Sequence, residues 1–353
     1  MKGLLALYTP WPILYWPVSV TPPRREARKR MAAPSPYETL VTVYGGSGFL
    51  GRHVVRALAK RHYRIRVAVR RPELANFLQP LGRVGQIHAV QANLRHAPSV
   101  ESAARDAHAL INLVGILFER GRQRFETVHA YGAEQVALAA NAHGARMVHV
   151  SAIGADTNSS SAYARSKAHA EQLVLAAQQS ATIMRPSIMF GPEDDFFNRF
   201  AALACVSPAL PLIGGGLTRF QPVFVGDIAA AIADAVDGKT RPGTIYEMGG
   251  PDTRTFKQLM QFVLATIKRK RLLVTLPFPL AKAQATVLQY LPKPPLTPDQ
   301  VESLRNDNVV SQAAKDEGRT LQALGIEPEP IEAIVPSYLW RFRKTGQFRK
   351  HTA

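Results

Sequence analysis

The sequence predicts an α/β fold in which a Rossmann-type, doubly wound parallel sheet is followed by a smaller C-terminal lobe and a basic tail. Short apolar runs alternate with amphipathic segments from Thr39 to about residue 190. A glycine-rich turn follows the first run, and beyond residue 190 the alternation gives way to Gly- and Pro-rich stretches. Alternation of this kind buries parallel strands between two layers of helices, which is the basis of the prediction.

The apolar runs are the predicted strands, and the segments between them are the predicted helices. The strands are predicted at Leu40–Tyr44, Ile65–Val69, Ile87–Gln91, Ala109–Val114, Met147–Ser151 and Ala181–Arg185. Leu50–Ala59 is typical of the helices, because its apolar residues recur at helical spacing along one stripe. Further along, Val225–Val236 is a predicted helix and Thr244–Met248 a predicted strand.

We expect the chain to divide into a lead, two folded parts and a tail. Residues 1–36 are a non-globular lead, and residues 37–190 form the Rossmann domain, with its core strands completed by later segments. Residues 191–335 form the smaller lobe and residues 336–353 the basic tail. In the lead, prolines interrupt the apolar stretch Leu4–Val20 and arginines follow it. The lead is therefore either an organelle transit peptide or the product of too early a start codon, with Met31 as the true start.

The composition limits the kinds of protein this chain can be. Its 353 residues are 46% hydrophobic, which supplies a sizeable core and excludes wholesale disorder. A single cysteine, Cys205, excludes a disulfide framework and a cysteine-rich metal site. No uninterrupted apolar run reaches the length of about 18 residues that a membrane-spanning helix needs. The net charge of +18 favours an anionic partner: a nucleotide phosphate, an acidic lipid, a nucleic acid or an acidic protein surface.

The glycine-rich turn Gly45–Gly51 is the clearest functional motif. Its glycines at 45, 48 and 51 follow a predicted strand and open a predicted helix. Glycine allows a tight turn and a close approach of the backbone to a phosphate, and the free amides at the helix start bind the anion. Given the strand–turn–helix context, we interpret the motif as a dinucleotide-binding turn, although its spacing is a variant of the older fingerprint.

Arg70 and Arg71 follow the second predicted strand, about 20 residues after the glycines. An acidic residue usually stands there in NAD-binding proteins, because it binds the ribose hydroxyls. A guanidinium instead pairs with a 2′-phosphate through two hydrogen bonds. The sequence therefore favours NADP(H) over NAD(H), and the alternative is a pair of solvated surface arginines.

Two weaker signals follow the third and fourth strands. Asn93 and Leu94 stand where a side-chain amide meets the adenine, and Val114 and Gly115 stand where small residues leave room for the ribose. Without the glycine turn, these residues would be interpreted as a turn and a packing contact.

Tyr163 and Lys167 are four residues apart, and this spacing places both side chains on one face of a helix just after the fifth strand. A nearby ammonium group favours the phenolate, so we expect the pKa of Tyr163 to be lowered. Such a tyrosine passes a proton to a carbonyl oxygen while a nicotinamide supplies hydride. The lysine is expected to hold the nicotinamide ribose.

The remaining titratable residues predict no metal site. The ten histidines show no metal-ligand spacing. Glu193–Asp195 is better interpreted as a solvated loop or helix start than as a metal site. Nucleic-acid binding is not expected either, because no recognisable module accompanies the charge.

Further motifs complete the pattern. They are Val148–Ala152, Met184–Ser187, Phe190–Pro192, Gln221–Val223 with Val225 and Asp227, Asp307–Val310, Tyr338–Leu339 and Gly346–Phe348. With these motifs, the glycine turn and Tyr163–Lys167, the chain resembles the short-chain dehydrogenase/reductase superfamily in its extended or atypical form. Within it, the chain is similar to the family of nucleotide-binding accessory subunits of respiratory complex I, the NADH:ubiquinone oxidoreductase, and their bacterial relatives. The likeness covers roughly residues 40–348, and the tail narrows it to this family.

The resemblance implies NADPH as the cofactor, with NAD(H) less favoured. The cofactor-binding residues that it implies are Gly45, Ser47, Gly48, Phe49, Leu50, Arg70, Arg71, Asn93, Leu94, Val114, Gly115, Ser151, Tyr163, Lys167, Pro186 and Ile188. Tyr163 and Lys167 match the superfamily's active pair, and Ser151 is the candidate for its catalytic serine. Extended enzymes usually carry that serine two residues later, where Ile153 stands and cannot polarise a carbonyl.

We therefore expect an NADPH-binding accessory subunit of complex I that has a structural role and no turnover of its own. The alternative is an NADP-dependent short-chain reductase or a nucleotide-sugar epimerase/dehydratase-like enzyme. The implied partners are other complex I subunits, with peripheral contact to an anionic membrane surface through Lys268–Arg271 and Arg341–Lys350. The expected location is the cytoplasmic face of a bacterial inner membrane, and the alternative is the matrix side of the mitochondrial inner membrane.

Overall fold

A parallel sheet of seven strands is the centre of the computed structural model, which describes residues 37–292, 294–344 and 346. The expectation for residues 1–36 lies outside the described residues. The strands are β1 Leu40–Tyr44, β2 Arg64–Val69, β3 Ile87–Gln91, β4 Ala109–Asn112, β5 Arg146–Val150, β6 Thr182–Pro186, β7 Met189–Phe190, β8 Ala209–Ile213, β9 Arg219–Phe220, β10 Val223–Phe224, β11 Ile245–Met248, β12 Arg254–Thr255 and β13 Leu272–Leu276.

The α-helices are α1 Phe49–Lys60, α2 Ala97–Ala104, α3 Tyr131–Ala142, α4 Ala162–Ala177, α5 Phe197–Val206, α6 Val225–Val236, α7 Phe256–Thr266, α8 Phe278–Leu288, α9 Pro298–Ser303, α10 Gln312–Asp316, α11 Ile331–Ile334 and α12 Pro336–Leu339. Short 3₁₀-helical segments lie at Pro72–Leu81, Gly214–Gly216, Gln322–Leu324 and Trp340–Phe342. A π-helical segment at Glu126–Ala130 precedes α3.

The strand order of the sheet is β11-β6-β5-β4-β1-β2-β3, and all neighbours run parallel. The predicted Rossmann-type fold class is thereby confirmed. The order reverses between β1 and β4, and in sheets of this kind ligands bind in the crevice beyond the carboxyl ends of the strands at that point. The glycine turn follows β1 directly and therefore lies at this crevice.

Helices cover both faces of the sheet, because the strands carry apolar side chains on both sides. On one face, Val54 of α1 and Ile228 of α6 pack against the strands in one buried cluster. On the other face, Val100 of α2, Val136 of α3 and Val174 of α4 do the same. α6 and the edge strand β11 come from beyond residue 190, so later segments complete this layered unit.

The C-terminal part adds three two-stranded pairs, β7–β10, β8–β13 and β9–β12, and helices around an aromatic core. Phe190, Phe197 and Phe256 are buried in this core and make edge-on or tilted ring contacts with their neighbours. The glycine- and proline-rich stretch near Pro208–Gly216 is therefore not a plain loop: it contains β8 and a tight turn.

The start of the expected basic tail is folded onto this part of the chain. Residues 336–344 form α12 and a tight turn, and Tyr338 is buried and donates a hydrogen bond to Asp194. Arg269 donates to the Phe342 carbonyl, and Arg343 donates to the Thr266 carbonyl. Residues 336–344 therefore do not form an extended tail, because they find apolar contacts and backbone hydrogen-bond partners in the C-terminal lobe. Residues 345 and 347–353 lie outside the described residues.

A buried group of ion pairs connects the central sheet and α4 with the C-terminal part of the chain. Arg185 of β6 donates two hydrogen bonds to Glu171 of α4, at 2.8 and 2.6 Å, and lies 3.5 Å from Glu247 of β11. Glu247 also accepts a hydrogen bond from the Ser311 N–H at 2.8 Å. Both carboxylates are buried, and one guanidinium links α4, β6 and β11, while Glu247 extends the group to the C-terminal chain.

Candidate functional site

The glycine turn has the geometry that close backbone approach requires. Gly45 adopts a φ of +81°, and its N–H donates to the Ala68 carbonyl at 3.1 Å. A Cβ added at Gly51 would lie 2.4 Å from the Gly45 carbonyl oxygen, so α1 can meet the turn only through a glycine. Ser47, in the same turn, is half-buried.

The start of α1 leaves backbone donors free for an anion. Gly48 is the N-cap, and no side chain caps the helix. Among the described residues, no acceptor meets the N–H groups of Phe49 and Leu50. The helix dipole points its positive end in the same direction. Uncapped amides beside a glycine turn fit the diphosphate of a dinucleotide.

Arg70 and Arg71 are exposed just beyond β2. Within the described part of the chain, neither guanidinium has a hydrogen bond or an ion pair. Both side chains are therefore available to a phosphate without breaking an existing contact.

The residues proposed to contact the adenine and the ribose have structural contacts of their own. The Asn93 amide oxygen accepts from the Arg95 N–H at 3.1 Å, which stabilises a turn, and Leu94 is buried against Gly132. β4 ends at Asn112, so Val114 and Gly115 lie in the following loop. Val114 packs on the glycine turn, with a methyl group 3.1 Å from the place of a Cβ at Gly45.

Tyr163 and Lys167 share one face of α4, as the spacing predicts. Lys167 is buried and donates from Nζ to the Val150 carbonyl at 3.1 Å. Burial lowers the pKa of its ammonium to about 8. The same ammonium lies 6.0 Å from the centre of the Tyr163 ring.

The predicted lowering of the tyrosine pKa is wrong. Burial, with a smaller contribution from the negative charge of Asp299, raises the pKa of Tyr163 to about 12. The ammonium of Lys167 is engaged with a backbone carbonyl, so its attraction for a phenolate is too weak to offset the loss of solvent. Tyr163 is therefore a neutral hydrogen-bond donor at neutral pH.

Ser151 lies just beyond β5 and is buried, and its hydroxyl has no partner among the described residues. His149 Nε2, two residues earlier, is buried and unpartnered in the same way. Buried polar atoms without partners are rare in native proteins, and a bound polar group is one explanation. Both atoms fit the presence of a ligand at this edge of the sheet. Ile153 instead packs in a small buried cluster with Val310 and Ala314.

Pro186 and Ile188 follow the end of β6 and are held by the C-terminal chain. The Pro186 carbonyl accepts from the Ile153 N–H at 3.0 Å. The amide oxygen of Asn308 accepts from the Ile188 N–H at 3.1 Å and from the Ser187 hydroxyl at 2.6 Å. Its amide nitrogen donates to the Ile153 carbonyl at 3.2 Å. Asn308 therefore fixes two strand ends at the site.

Sequence reasoning missed His129, which connects the loop after β4 to α4. Its Nε2 accepts from the Ile116 N–H at 2.9 Å, so in the neutral ring Nδ1 carries the proton and donates to Ser166 Oγ, also at 2.9 Å. Burial lowers the pKa of His129 to about 2. His129 lies near Lys167 in space but 38 residues before it in the chain. No spacing rule covers such a separation.

Asp299 was also missed, although it caps the helix that carries Tyr163. Its carboxylate accepts from the N–H groups of Ala162 at 2.6 Å and Tyr163 at 3.2 Å, and from the Ser161 hydroxyl at 2.9 Å. A carboxylate at a helix N-terminus stabilises it through these bonds and the helix dipole. The capping box of α9, formed by Thr297 and Gln300, was the only signal that this segment is ordered.

The acidic run Glu193–Asp195 is not a wholly solvated loop. Asp194 is buried and accepts from the N–H groups of Gly191 and Asn198 and from the Tyr338 hydroxyl. Burial raises the pKa of its carboxyl. Across the described residues, no group of three or more His, Cys, Asp or Glu side chains is placed to hold a metal ion. The part of the chain that the structure describes also has no helix long and apolar enough to cross a bilayer.

The comparison with known proteins gives a chain-wide match. The family model described as the NAD dependent epimerase/dehydratase family matches residues 41–249. The mitochondrial NADH dehydrogenase (ubiquinone) 1 alpha subcomplex subunit 9 of Arabidopsis thaliana is 37% identical over 334 residues, which cover 91% of this chain and 82% of that relative. The mitochondrial NADH-ubiquinone oxidoreductase 40 kDa subunit of Neurospora crassa is 30% identical over 309 residues, which cover 87% and 80%.

Among solved structures, an NADPH-dependent quinone oxidoreductase of Escherichia coli complexed with NADPH is similar in fold. Its TM-score is 0.67 at 20% identity, over 85% of this chain and 99% of that one. At this identity the likeness speaks for the fold alone.

Proposed function

Because this chain belongs to the NAD dependent epimerase/dehydratase family and, within it, to the group of NADH dehydrogenase (ubiquinone) 1 alpha subcomplex subunit 9 proteins, we propose that it is an NADPH-binding accessory subunit of respiratory complex I. Its role is structural, and its partners are other subunits of the complex. The observation that carries the proposal is the extent of the likeness, which includes the C-terminal lobe as well as the Rossmann domain.

The site supports a held cofactor more than turnover. Gly45, Phe49 and Leu50 would hold the diphosphate, and Lys167 and Tyr163 would hold the nicotinamide ribose, where bound NADPH would supply a hydride. Ile153 replaces the expected serine and is packed among apolar side chains, so no hydroxyl at that position meets a substrate carbonyl. A ligand that binds the native state alone stabilises it by mass action, which suits a structural role.

The relatives are named as mitochondrial, which supports the organellar alternative for location. They lend no support to the bacterial inner membrane expected from the sequence. We propose a peripheral position on the matrix side of the inner membrane.

The proposal is tested by native purification from the source membranes in mild detergent. We expect the chain to co-elute with other complex I subunits and to carry one NADPH that a broad panel of carbonyl compounds leaves unoxidised. A chain that elutes alone at about its own size in every extract would contradict the subunit role. Rapid NADPH oxidation by a panel member would favour the reductase alternative, which the retained Tyr163 and Lys167 allow.

The choice of NADPH over NADH rests on Arg70 and Arg71. Replacing both with alanine is expected to weaken NADPH binding by about 10- to 100-fold and NADH binding by less than about threefold, because the 2′-phosphate loses a charge-assisted pair with one of the two guanidinium groups, worth about 1.5–3 kcal/mol. Isothermal titration with both dinucleotides measures the effect. The double variant of Arg64 and Lys60, also exposed cations, is the matched control. Equal losses for NADPH and NADH would refute the 2′-phosphate assignment.

A further inference from the structure

The segment that leads into α3 has an irregular geometry. Glu126–Ala130 is π-helical, and the regular helix begins directly after it at Tyr131. Turns of this kind are rare and are frequently found at functional sites. This one carries His129, whose side chain is buried. A polar ring in such a place needs hydrogen-bond partners for both of its nitrogens.

His129 is the middle of a chain of hydrogen bonds that can run in one direction only. At one end, the backbone N–H of Ile116 donates to Nε2 at 2.9 Å. At the other end, the Tyr163 carbonyl accepts from the Ser166 hydroxyl at 2.7 Å. Between them, Nδ1 donates to the Ser166 oxygen at 2.9 Å. A neutral imidazole has one donor and one acceptor, so it completes this chain, whereas a protonated ring would have two donors and would lose the bond with Ile116.

The first end of this chain is the loop after β4, which carries the residues expected to face the ribose. A Cβ added at Gly115 would lie 3.5 Å from Lys167 Nζ and 3.7 Å from His129 Nε2. The backbone of the loop therefore lies close to both groups, and the next N–H in the chain is the one that His129 holds. The position of the loop relative to α4 thus depends on this imidazole.

The other end of the chain is Tyr163, whose ring His129 also contacts. The two rings are edge-on, with centres 5.5 Å apart and planes at 87°. Phe125 stacks on His129 at 5.3 Å and meets the Tyr163 ring edge-on at 5.9 Å. Edge-on contacts between aromatic rings are favourable and directional. His129 therefore restrains the tyrosine through its ring and, by way of Ser166, through its backbone.

His129 is not suited to proton transfer at physiological pH. Burial, reinforced by the ammonium of Lys167, lowers the pKa of the imidazole to about 2. The ring therefore stays neutral, and the direction of both hydrogen bonds is fixed. Its contribution is one of geometry.

We propose that His129 is a positioning residue for the nicotinamide half of the dinucleotide site, where it holds the loop after β4 against Tyr163 and Lys167 before the cofactor binds. A site that is already ordered binds more tightly, because less conformational freedom is lost on binding. The inference rests on the NADPH site proposed above. It implies that the adenosine half, at the glycine turn and Arg70 and Arg71, binds independently of His129.

The test compares two ligands on the purified full chain by isothermal titration: NADPH, and adenosine 2′,5′-bisphosphate, which represents the adenosine half alone. His129→Phe keeps a ring and removes both hydrogen bonds. It is expected to weaken NADPH binding by about tenfold and bisphosphate binding by less than about twofold. His129→Gln, whose amide oxygen can accept from the Ile116 N–H, should recover NADPH binding to within about threefold of wild type.

His143→Phe is the matched control. It makes the same substitution at an exposed position at the opposite end of α3, and it should bind both ligands as wild type does. If circular dichroism shows that His129→Phe is unfolded, Ser166→Ala decides instead, because it breaks the same chain with a smaller change. Ser166→Ala should weaken NADPH binding by about threefold and leave bisphosphate binding unchanged.

Equal losses of both ligands in the folded His129→Phe variant would overturn the proposal, because they would show a general loss of structure. Unchanged NADPH binding in the deciding variant would also overturn it, as would a His129→Gln variant that binds NADPH as weakly as His129→Phe. Failure of the wild-type chain to bind NADPH would contradict the proposed cofactor and this inference with it. Normal wild-type binding with unaffected variants would overturn the role of His129 alone.

Discussion

Replacing Arg185 with methionine should lower the free energy of unfolding by about 3–5 kcal/mol, because it leaves two buried carboxylates without their partner. Glu171 is 4% exposed and Glu247 is 8% exposed, so solvent compensates only weakly for the lost guanidinium. Urea unfolding followed by circular dichroism measures the change, with NADPH absent so that ligand binding does not contribute.

Two further variants separate this explanation from simple loss of packing. Adding Glu171→Gln and Glu247→Gln to Arg185→Met removes the unpaired charges and should restore a large part of the lost stability. Arg124→Met, which breaks the exposed pair with Glu119, should change stability by less than about 1 kcal/mol. If the triple variant is no more stable than Arg185→Met, buried charge is not the cause.

Acid should destabilise the native state through His129 and His149. Burial lowers their pKa values to about 2 and about 3, whereas an unfolded imidazole titrates near 6.5. Below pH 6.5 these two imidazoles bind protons in the unfolded chain but not in the native state, so the free energy of unfolding falls as pH falls. At pH 5 each imidazole should cost roughly 2 kcal/mol relative to pH 8. The free energy of unfolding stops falling from this cause when the pH reaches the native pKa values of the two histidines.

Buried carboxyl groups act in the opposite direction. Burial raises the pKa of Asp227 to about 6, so the native state takes up a proton there as pH falls and offsets about 1 kcal/mol by pH 5. The histidine contribution is therefore measured as a difference between variants. His149→Gln should reduce the loss of stability between pH 8 and pH 5 by roughly 2 kcal/mol. Parallel curves for wild type and His149→Gln would show that His149 is protonated in the native state.

The sequence predicted the central sheet well because its information is local. Each strand of the sheet is centred on a short apolar run, and β1 and β3 have the predicted limits. The glycine turn and the shared face of Tyr163 and Lys167 are set by spacings of a few residues. Such patterns are read from a short window.

The site features that the sequence did not predict depend on residues that are far apart in the chain. Asp299 lies 136 residues after Tyr163, and Asn308 lies 120 residues after Ile188. Acids and amides in a proline-rich segment resemble solvated surface residues until the fold brings them to a strand or helix end. The error on the Tyr163 pKa has the same origin, because the sequence shows the nearby lysine and not the loss of solvent.

The cap that Asp299 supplies to α4 has a consequence for the synthesis of this chain. On a ribosome, Tyr163 and Lys167 emerge long before residue 299, so the first turn of their helix lacks this carboxylate cap until the later segment is made. Maturation of the nucleotide pocket is thus tied to completion of the polypeptide. A messenger RNA truncated after the codons of the Rossmann domain should yield a chain that cannot retain its dinucleotide. Incomplete chains would thereby be kept out of any larger assembly.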